Sequence, residues 1–384
     1  MRILQVVTLA SPDGAFGGPL RVAINQSRAL TDAGHDVELV AGARGFTGGN
    51  PTRFMGFPVS LFTVRTVIPR TGFAGLTSVS LLRWLATNVR RFDAVHIHLA
   101  RDFVTLPAAA IARAAGVPYV VQTHGMIDAS NHPLAGPLDR VLTRPLLRRA
   151  QRVLYLTDRE ADDLTELAAT ALPLQYLPHG VPSADVSTRG SGGPEVLFLA
   201  RLHPRKRPLQ FVEMAIELHG RFPDARFRLV GPDEGEGRAV QRAIRNANLG
   251  DTILWEGALS PSATLTRMSR CDLYVLPSVD EPFGMSVVEA LSLGLPVVVG
   301  ESCGLAEQVR TSGAGTVFDG SLEGLVEAVA EYLVNPTRCA SSGARARELA
   351  HNSFGMDAVA HELGQVYEES SGTCPGPHRR RDGT

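Results

Sequence analysis

Glu195-Val-Leu-Phe-Leu-Ala-Arg-Leu-His-Pro-Arg-Lys206 reads as a short buried strand that runs straight into a cationic loop, and the helical pattern Pro208–His219 follows it. The same strand, loop and helix order recurs through the second half of the chain. Strand candidates are Glu195–Ala200, Phe227–Val230, Thr252–Trp255, Leu273–Leu276 and Pro296–Val299. Helical patterns fit Pro208–His219, Glu236–Asn248, Ser262–Arg270, Met285–Leu293 and Leu322–Leu333. Alternating β and α implies a parallel sheet covered on both faces. The first half repeats the pattern, with strands expected at Ile3–Leu9, Val37–Ala41, Val59–Val64, Ala94–Leu99, Tyr119–Thr123 and Val153–Tyr155. Helices are expected there at Leu20–Ala33, Ser78–Arg91, Phe103–Ala115 and Leu138–Ala150.

Between the halves lies a Ser/Gly/Pro stretch, residues 182–194, with the composition of a linker. The expected organisation is therefore an α/β protein of two Rossmann-like domains facing an interdomain cleft. Residues 1–181 form the first domain and 195–351 the second. Residues 352–369 are a C-terminal helix crossing back to the first domain, and 370–384 a disordered tail. In open α/β sheets ligands bind beyond the C-terminal ends of the strands, so loops that follow strands are where chemistry is sought.

Bulk properties narrow the class. The 384 residues are 44% hydrophobic and 20% charged, with net charge −1. That is ordinary globular composition and offers no basic excess for nucleic acid. No apolar run is long enough to span a bilayer. The opening resembles a first buried strand more than a secretory signal. Four scattered cysteines lack metal-ligand spacing and suggest a reducing cytoplasm. One segment stands apart. From Leu39 to Phe92 there is no Asp or Glu, but there are seven arginines: Arg44, Arg53, Arg65, Arg70, Arg83, Arg90 and Arg91. Aromatics including Phe62, Phe73 and Trp84 are interleaved with them. Such a segment is either a surface for anionic membranes or a core flanked by solvated arginines.

Four loops meet the placement test. Gly17 and Gly18 follow the first strand and open a helix, where glycine lets a backbone approach an anion. Thr123-His124-Gly125-Met126 ends an apolar strand, and His124 there can bond a substrate hydroxyl or move a proton. His96 and His98 end the preceding strand on one face. Three histidines also raise a metal reading, although strand-end histidines more often bond backbone or substrate groups. Arg201 and Lys206 share the loop quoted above, and Lys206 is the chain's only lysine. A planar fork beside a compact point charge suits a diphosphate. The spacing is not that of a phosphate-binding P-loop. Lastly, Glu281-Pro-Phe-Gly-Met-Ser-Val-Val-Glu289 follows the strand Leu273–Leu276. Phe283, Gly284 and Met285 start a helix whose free N–H groups can hold a phosphate or sugar oxygen, and Glu281 and Glu289 can each accept from a vicinal diol.

Taken together and in this order, Arg201-x4-Lys206 and Glu281-x7-Glu289 resemble the retaining glycosyltransferases of the GT-B fold, the group 1 glycosyltransferases of polysaccharide, glycolipid, sucrose and glycogen synthesis. The resemblance covers residues 1 to 369. Gly17-Gly18 looks like the family's glycine loop, and Thr123-His124-Gly125 like its histidine motif. Tyr176-Leu-Pro-His-Gly-Val181 looks like its interdomain signature, with His179 where asparagine is more usual. Leu229-Val-Gly231 and Trp255-Glu-Gly-Ala-Leu259 look like its nucleotide-side loops.

The resemblance implies a donor nucleotide on the second domain. Arg201 and Lys206 would neutralise the diphosphate, Glu289 would hold the ribose and Glu281 the donor-sugar hydroxyls. Phe283, Gly284 and Met285 would offer backbone donors. Backbone at Ala258 and Leu259 would face the base, Gly18 the phosphate and His124 the donor sugar. It further implies transfer of a hexose or N-acetylhexosamine from a UDP-linked donor with retention and without a metal cofactor. No Asp-x-Asp occurs in the chain. The expected partners are a nucleotide-sugar donor, a sugar or lipid-linked acceptor of cell-envelope glycan synthesis, and an anionic membrane surface through residues 39–92, with no nucleic acid. The expected location is cytoplasmic, peripheral on the inner membrane face. A soluble secondary metabolite is the alternative acceptor. A nucleotide-sugar epimerase on the same fold is the alternative of a different class, which a reaction with donor alone would reveal.

Overall fold

The computed structural model describes residues 1–12, 18–69, 71–127, 135–182 and 193–372. Residues Met1–Ala10, Pro19–Leu177 and the C-terminal helix beyond Met356 form one unit, and Pro178–Met356 belong to another. Each is built on its own parallel sheet.

In the first unit seven strands lie in the spatial order Leu174–Tyr176, Arg152–Tyr155, Tyr119–Gln122, Ala94–His98, Arg2–Ala10, Asp36–Ala43 and Ser60–Thr63. Every pairing is parallel. Arg2–Ala10 is buried at all positions but its first, as a strand covered on both faces must be. From that strand the chain runs outward to Asp36–Ala43, then returns to its other side with Ala94–His98. The crossover direction therefore reverses between Arg2–Ala10 and Ala94–His98.

The second unit repeats the device with six strands: Ile253–Trp255, Arg226–Val230, Glu195–Leu199, Leu273–Leu276, Val297–Gly300 and Gly315–Phe318. Its pairings are parallel too, and its reversal falls between Glu195–Leu199 and Leu273–Leu276. A reversal of this kind opens a crevice at the strands' C-terminal ends. The Arg201/Lys206 loop and the Glu281 loop leave these two adjacent strands, so the topology brings them together. Gly231 follows the neighbouring strand, and only glycine fits there. Its φ is +150°, and a Cβ would lie 1.9 Å from the Ala200 carbonyl oxygen.

Several expectations are corrected. The first unit ends at Leu177 rather than residue 181. The Leu177 N–H donates to the Tyr155 carbonyl at 3.0 Å, whereas the Val181 N–H donates to Phe354 of the second unit at 2.9 Å. The expected linker, residues 182–194, falls outside the described residues from 183 to 192. The expected break at residue 352 lies later, because the helix Pro336–Phe354 continues to an extended Gly355. The final helix, Met356–Ser371, includes two residues of the expected tail. Residues 373–384 lie outside the described residues. The expected helix Leu138–Ala150 is instead a short helix Ala135–Leu138, a π turn Asp139–Thr143 and a further short helix Arg144–Leu147. Pro145 carries no N–H for the ladder, and the Asp139 carboxylate holds the Arg101 guanidinium bidentately at 2.9 and 3.1 Å.

In the acid-free segment the aromatics follow the second of the two readings, a core flanked by arginines. Phe62 and Trp84 lie 6.0 Å apart between ring centres, and Trp84 and Phe92 6.3 Å. Phe62, Phe73 and Trp84 are partly buried and pack against the core of the first unit. They join that core instead of waiting for a bilayer. Arg44, Arg53, Arg65, Arg83, Arg90 and Arg91 are exposed, and Arg70 lies outside the described residues. Among the described residues no helix is long and apolar enough to cross a membrane.

Candidate active site

In the second unit, the loop after Glu195–Leu199 folds into a single 3-10 turn, Pro204–Lys206. His203 caps it, its Nδ1 accepting from the Arg205 N–H at 3.2 Å. The Arg205 carbonyl then accepts from the Val279 N–H at 2.9 Å, which ties this loop to the one after Leu273–Leu276. Across that seam the Lys206 ammonium donates to Glu281 Oε2. Both side chains are largely buried, 14% and 10% exposed, so the lone lysine is held in place rather than sweeping through solvent. Arg201 is more open at 39% and donates to Glu234 Oε2 at 2.5 Å. Both loop cations thus have a carboxylate partner in the ligand-free chain. A diphosphate entering here would compete with Glu234 and Glu281 for them.

Gly284 is the N-cap of the helix Met285–Ser292 and sits at φ +80°. That left-handed turn swings the chain from Glu281 into the helix at no steric cost only because the residue is glycine. Phe283 buries its ring against His179 (centres 4.7 Å apart) and Phe354 (5.8 Å). Its side chain is structural, and only its backbone remains available to a ligand. Glu289 lies on the same helix and is 4% exposed.

The loop that follows the strand Ile253–Trp255 is also braced. The Gly231 N–H donates to the Gly257 carbonyl at 2.8 Å, and the Trp255 indole donates to Gly231 at 2.9 Å. Arg267 grips Glu256 with two nitrogens at 2.7 and 2.8 Å and Glu195 at 2.7 Å. These bonds, Glu256 first, hold the Arg267 guanidinium above its ordinary pKa. Ala258 is exposed and Leu259 half-buried immediately beyond this anchor.

Gly18 opens the helix Gly18–Asp32, whose remaining residues belong to the first unit, and a Cβ there would meet nothing within 4 Å. Gly17 lies outside the described residues. His124 adopts φ +54°, a left-handed conformation unusual for a side-chain-bearing residue, and Gly125 follows at φ +68°. Glu160 holds this turn. Its Oε1 accepts from the Thr123 hydroxyl and from the Gly125 N–H at 2.6 Å, while Oε2 accepts from the Leu156 N–H at 2.7 Å. Burial pushes the Glu160 carboxyl up, and these three bonds pull it back. His124 is 9% exposed, and its Nε2 lies 2.7 Å from His98 Nδ1. His96 is fully buried, pairs through Nδ1 with the Tyr367 hydroxyl at 2.6 Å, and is pushed down to about 3 by burial. The three histidines engage protein partners, and among the described residues no cluster of His, Cys, Asp or Glu is arranged to hold a metal.

Sequence reasoning missed Glu160, Glu234, Arg267, Gln5 and Tyr367. Glu160 alone left a local sign. Thr157-x-x-Glu160 is a capping-box spacing, and the helix Asp158–Ala168 it announces does form, with the Glu160 N–H donating to the Thr157 hydroxyl at 3.3 Å. The carboxylate, however, reaches the histidine turn instead of closing the box.

Family models match both parts of the chain. The model described as "Glycosyl transferase 4-like domain" matches residues 17–180, and "Glycosyl transferases group 1" matches residues 184–349. The chain is 29% identical to D-inositol 3-phosphate glycosyltransferase 2 of Catenulispora acidiphila, covering 93% of this chain and 91% of that one. It is 28% identical to 2-deoxystreptamine glucosyltransferase of Streptomyces kanamyceticus, covering 88% and 95%. Among solved structures, Anabaena Alr3699/HepE in complex with UDP superposes with a TM-score of 0.73 at 19% identity, covering 96% of this chain and 100% of that one.

Proposed function

The chain belongs to the group 1 glycosyltransferases, a transferase of two Rossmann-like domains with the GT-B fold, and from that premise we propose that it moves a hexosyl group from a UDP-linked donor to an acceptor hydroxyl with retention of configuration. The observation that carries this reading is the junction of the Arg201/Lys206 and Glu281 loops at the sheet's reversal. A buried ammonium and a carboxylate meet there, beside a second cation. The Arg201 and Lys206 cations stabilise the diphosphate as negative charge develops on it. Fixed charges do this without reorganisation at the moment of reaction. Glu281 takes donor-sugar hydroxyls, Glu289 the ribose, backbone at Phe283, Gly284 and Met285 the phosphate and sugar oxygens, and backbone at Ala258 and Leu259 the base. Gly18 approaches the phosphate and His124 a sugar hydroxyl. No metal is needed for the leaving group. Retention follows when the acceptor attacks from the face the diphosphate leaves, without a protein nucleophile.

For the acceptor, a soluble polyhydroxylated ring is the better reading. The two relatives above carry inositol phosphate and 2-deoxystreptamine in their names. The core placement of Phe62, Phe73 and Trp84 removes the apolar half of the case for a membrane. A lipid-linked envelope glycan is the second reading, favoured by the exposed arginines between Leu39 and Phe92. Incubation with a panel of nucleotide sugars, scored for donor hydrolysis and for transfer to cyclitols, tests the first. The anomeric configuration of the product tests retention, and epimerised donor formed without acceptor would replace transfer by epimerisation. Co-sedimentation with anionic liposomes at low salt supports the second reading, and none at all removes it.

A further inference from the structure

His124 does not stand alone. Its Nε2 meets His98 Nδ1 at 2.7 Å, and His98 Nε2 meets Gln5 Oε1 at 2.6 Å. Gln5 and His98 are fully buried and His124 nearly so. The His98 and His124 rings are almost parallel, 4° apart with centres at 5.0 Å. With their nitrogens this close, they lie edge to edge.

These contacts form a chain with a fixed direction. An amide oxygen only accepts hydrogen bonds. Gln5 Oε1 therefore requires the proton of His98 on Nε2. In the neutral ring, Nδ1 of His98 is then bare and can only accept. His124 must donate to it through Nε2, which leaves Nδ1 of His124 without a proton. The hydrogen bond made by one ring nitrogen sets the state of the other, and here the setting passes through two rings. His96, stacked on His98 with ring centres 4.6 Å apart, is itself held neutral by burial.

We infer that Gln5 and His98 are positioning residues that fix the tautomer of His124, making its Nδ1 a hydrogen-bond acceptor for a sugar hydroxyl. This rests on the reading of His124 as a donor-sugar contact. A ring in this state takes the proton of a hydroxyl but gives none to a phosphate oxygen. It therefore serves sugar recognition and not protonation of the leaving group. Sequence offered His98 only as a strand-end histidine, and Gln5 not at all.

The direct test is a long-range proton–nitrogen correlation on the full chain with 15N-labelled histidine, assigned with His98→Gln and His124→Gln. The expected spectrum shows both rings protonated at Nε2 only. A proton on Nδ1 of either ring, or on both nitrogens, overturns the inference. Gln5→Leu removes the acceptor that starts the chain, so His124 should then populate both tautomers. Gln5→Glu keeps an acceptor there and should preserve the Nε2–H form. An unchanged, single His124 tautomer in Gln5→Leu also overturns the inference. In that variant kcat/KM for the sugar donor should fall about tenfold, the worth of one lost hydrogen bond, with the Kd of free UDP unchanged within about twofold. If the wild-type spectrum is as expected but His124→Ala binds UDP-sugar no more weakly than wild type, the tautomer chain stands and the assignment of His124 to the sugar falls.

Discussion

The two units solve one problem, holding polar side chains at the ends of a parallel sheet, by opposite means. In the second, the groups are ions. Lys206 pairs with Glu281, and Arg201 with Glu234. In the first, around His124, the contacts join groups without a permanent charge: an amide, three imidazoles and a phenol, with Glu160 acting on the backbone of the turn. Paired ions can exchange partners, so a charged ligand can displace a carboxylate and leave no cation unpaired. A neutral relay cannot trade charge, and what it fixes is which atom donates and which accepts. In the function proposed above, charge recognition would fall to one sheet and hydroxyl recognition to the other.

The largest effect should come from the ionic side. Lys206→Ala should lower kcat by roughly two to three orders of magnitude, the cost of removing one preorganised donor from a developing anion. Lys206→Arg should also be impaired, because a planar fork does not fit the place of a compact ammonium. Near-normal turnover in either variant would erase the contrast between the units. Next in size is a separation of the two carboxylates. Glu289→Ala should weaken binding of free UDP. Glu281→Ala should chiefly damage use of the sugar donor, and a double-mutant cycle between Lys206 and Glu281 should show coupling of about 1 kcal/mol in transfer, since the two are in contact. Additive losses would mean that the ion pair contributes nothing to the site.

The smallest effect is on stability, and both units should share it. Burial pushes His96 in the first unit and His179 in the second down to about 3. The unfolded chain titrates them near 6.5, so it binds more protons between these values. The stability from keeping them neutral is present above about pH 6.5 and falls as pH falls, by about 1 kcal/mol for each ring one pH unit below 6.5. Asp102, raised to about 6 by burial, works in the other direction below that pH. Tm should therefore drop between about pH 7.5 and pH 5.5. His179→Asn should flatten the drop. An unaltered pH dependence in that variant would show that His179 is not neutral in the folded chain.

Sequence carried the strands because fully buried strands are written as short apolar runs, as in Val297–Gly300. It singled out Lys206, Glu281 and Gly284 because they lie in loops at the C-terminal ends of strands, and the structure brings Lys206 and Glu281 into contact there. What it could not carry were partners distant in the chain. His96 and Tyr367 are 271 residues apart, and Arg201 and Glu234 are 33. No local pattern reports such pairs. The core placement of the aromatics, left open by composition, was legible in principle. Leu81 and Leu85 are buried in the helix Val79–Asn88 and flank Trp84, so all three fall on one helical stripe, where core is the better reading.

Equilibrium binding of UDP in the presence of EDTA, to the wild-type chain and to Lys206→Ala, tests the account most directly. Wild-type protein should bind UDP equally well with and without chelator, and Lys206→Ala should bind at least about tenfold more weakly, the loss of one charge-assisted contact. Binding that requires a divalent metal, or equal affinity in the variant, would contradict the claim that the loop cations of the second unit hold the donor diphosphate.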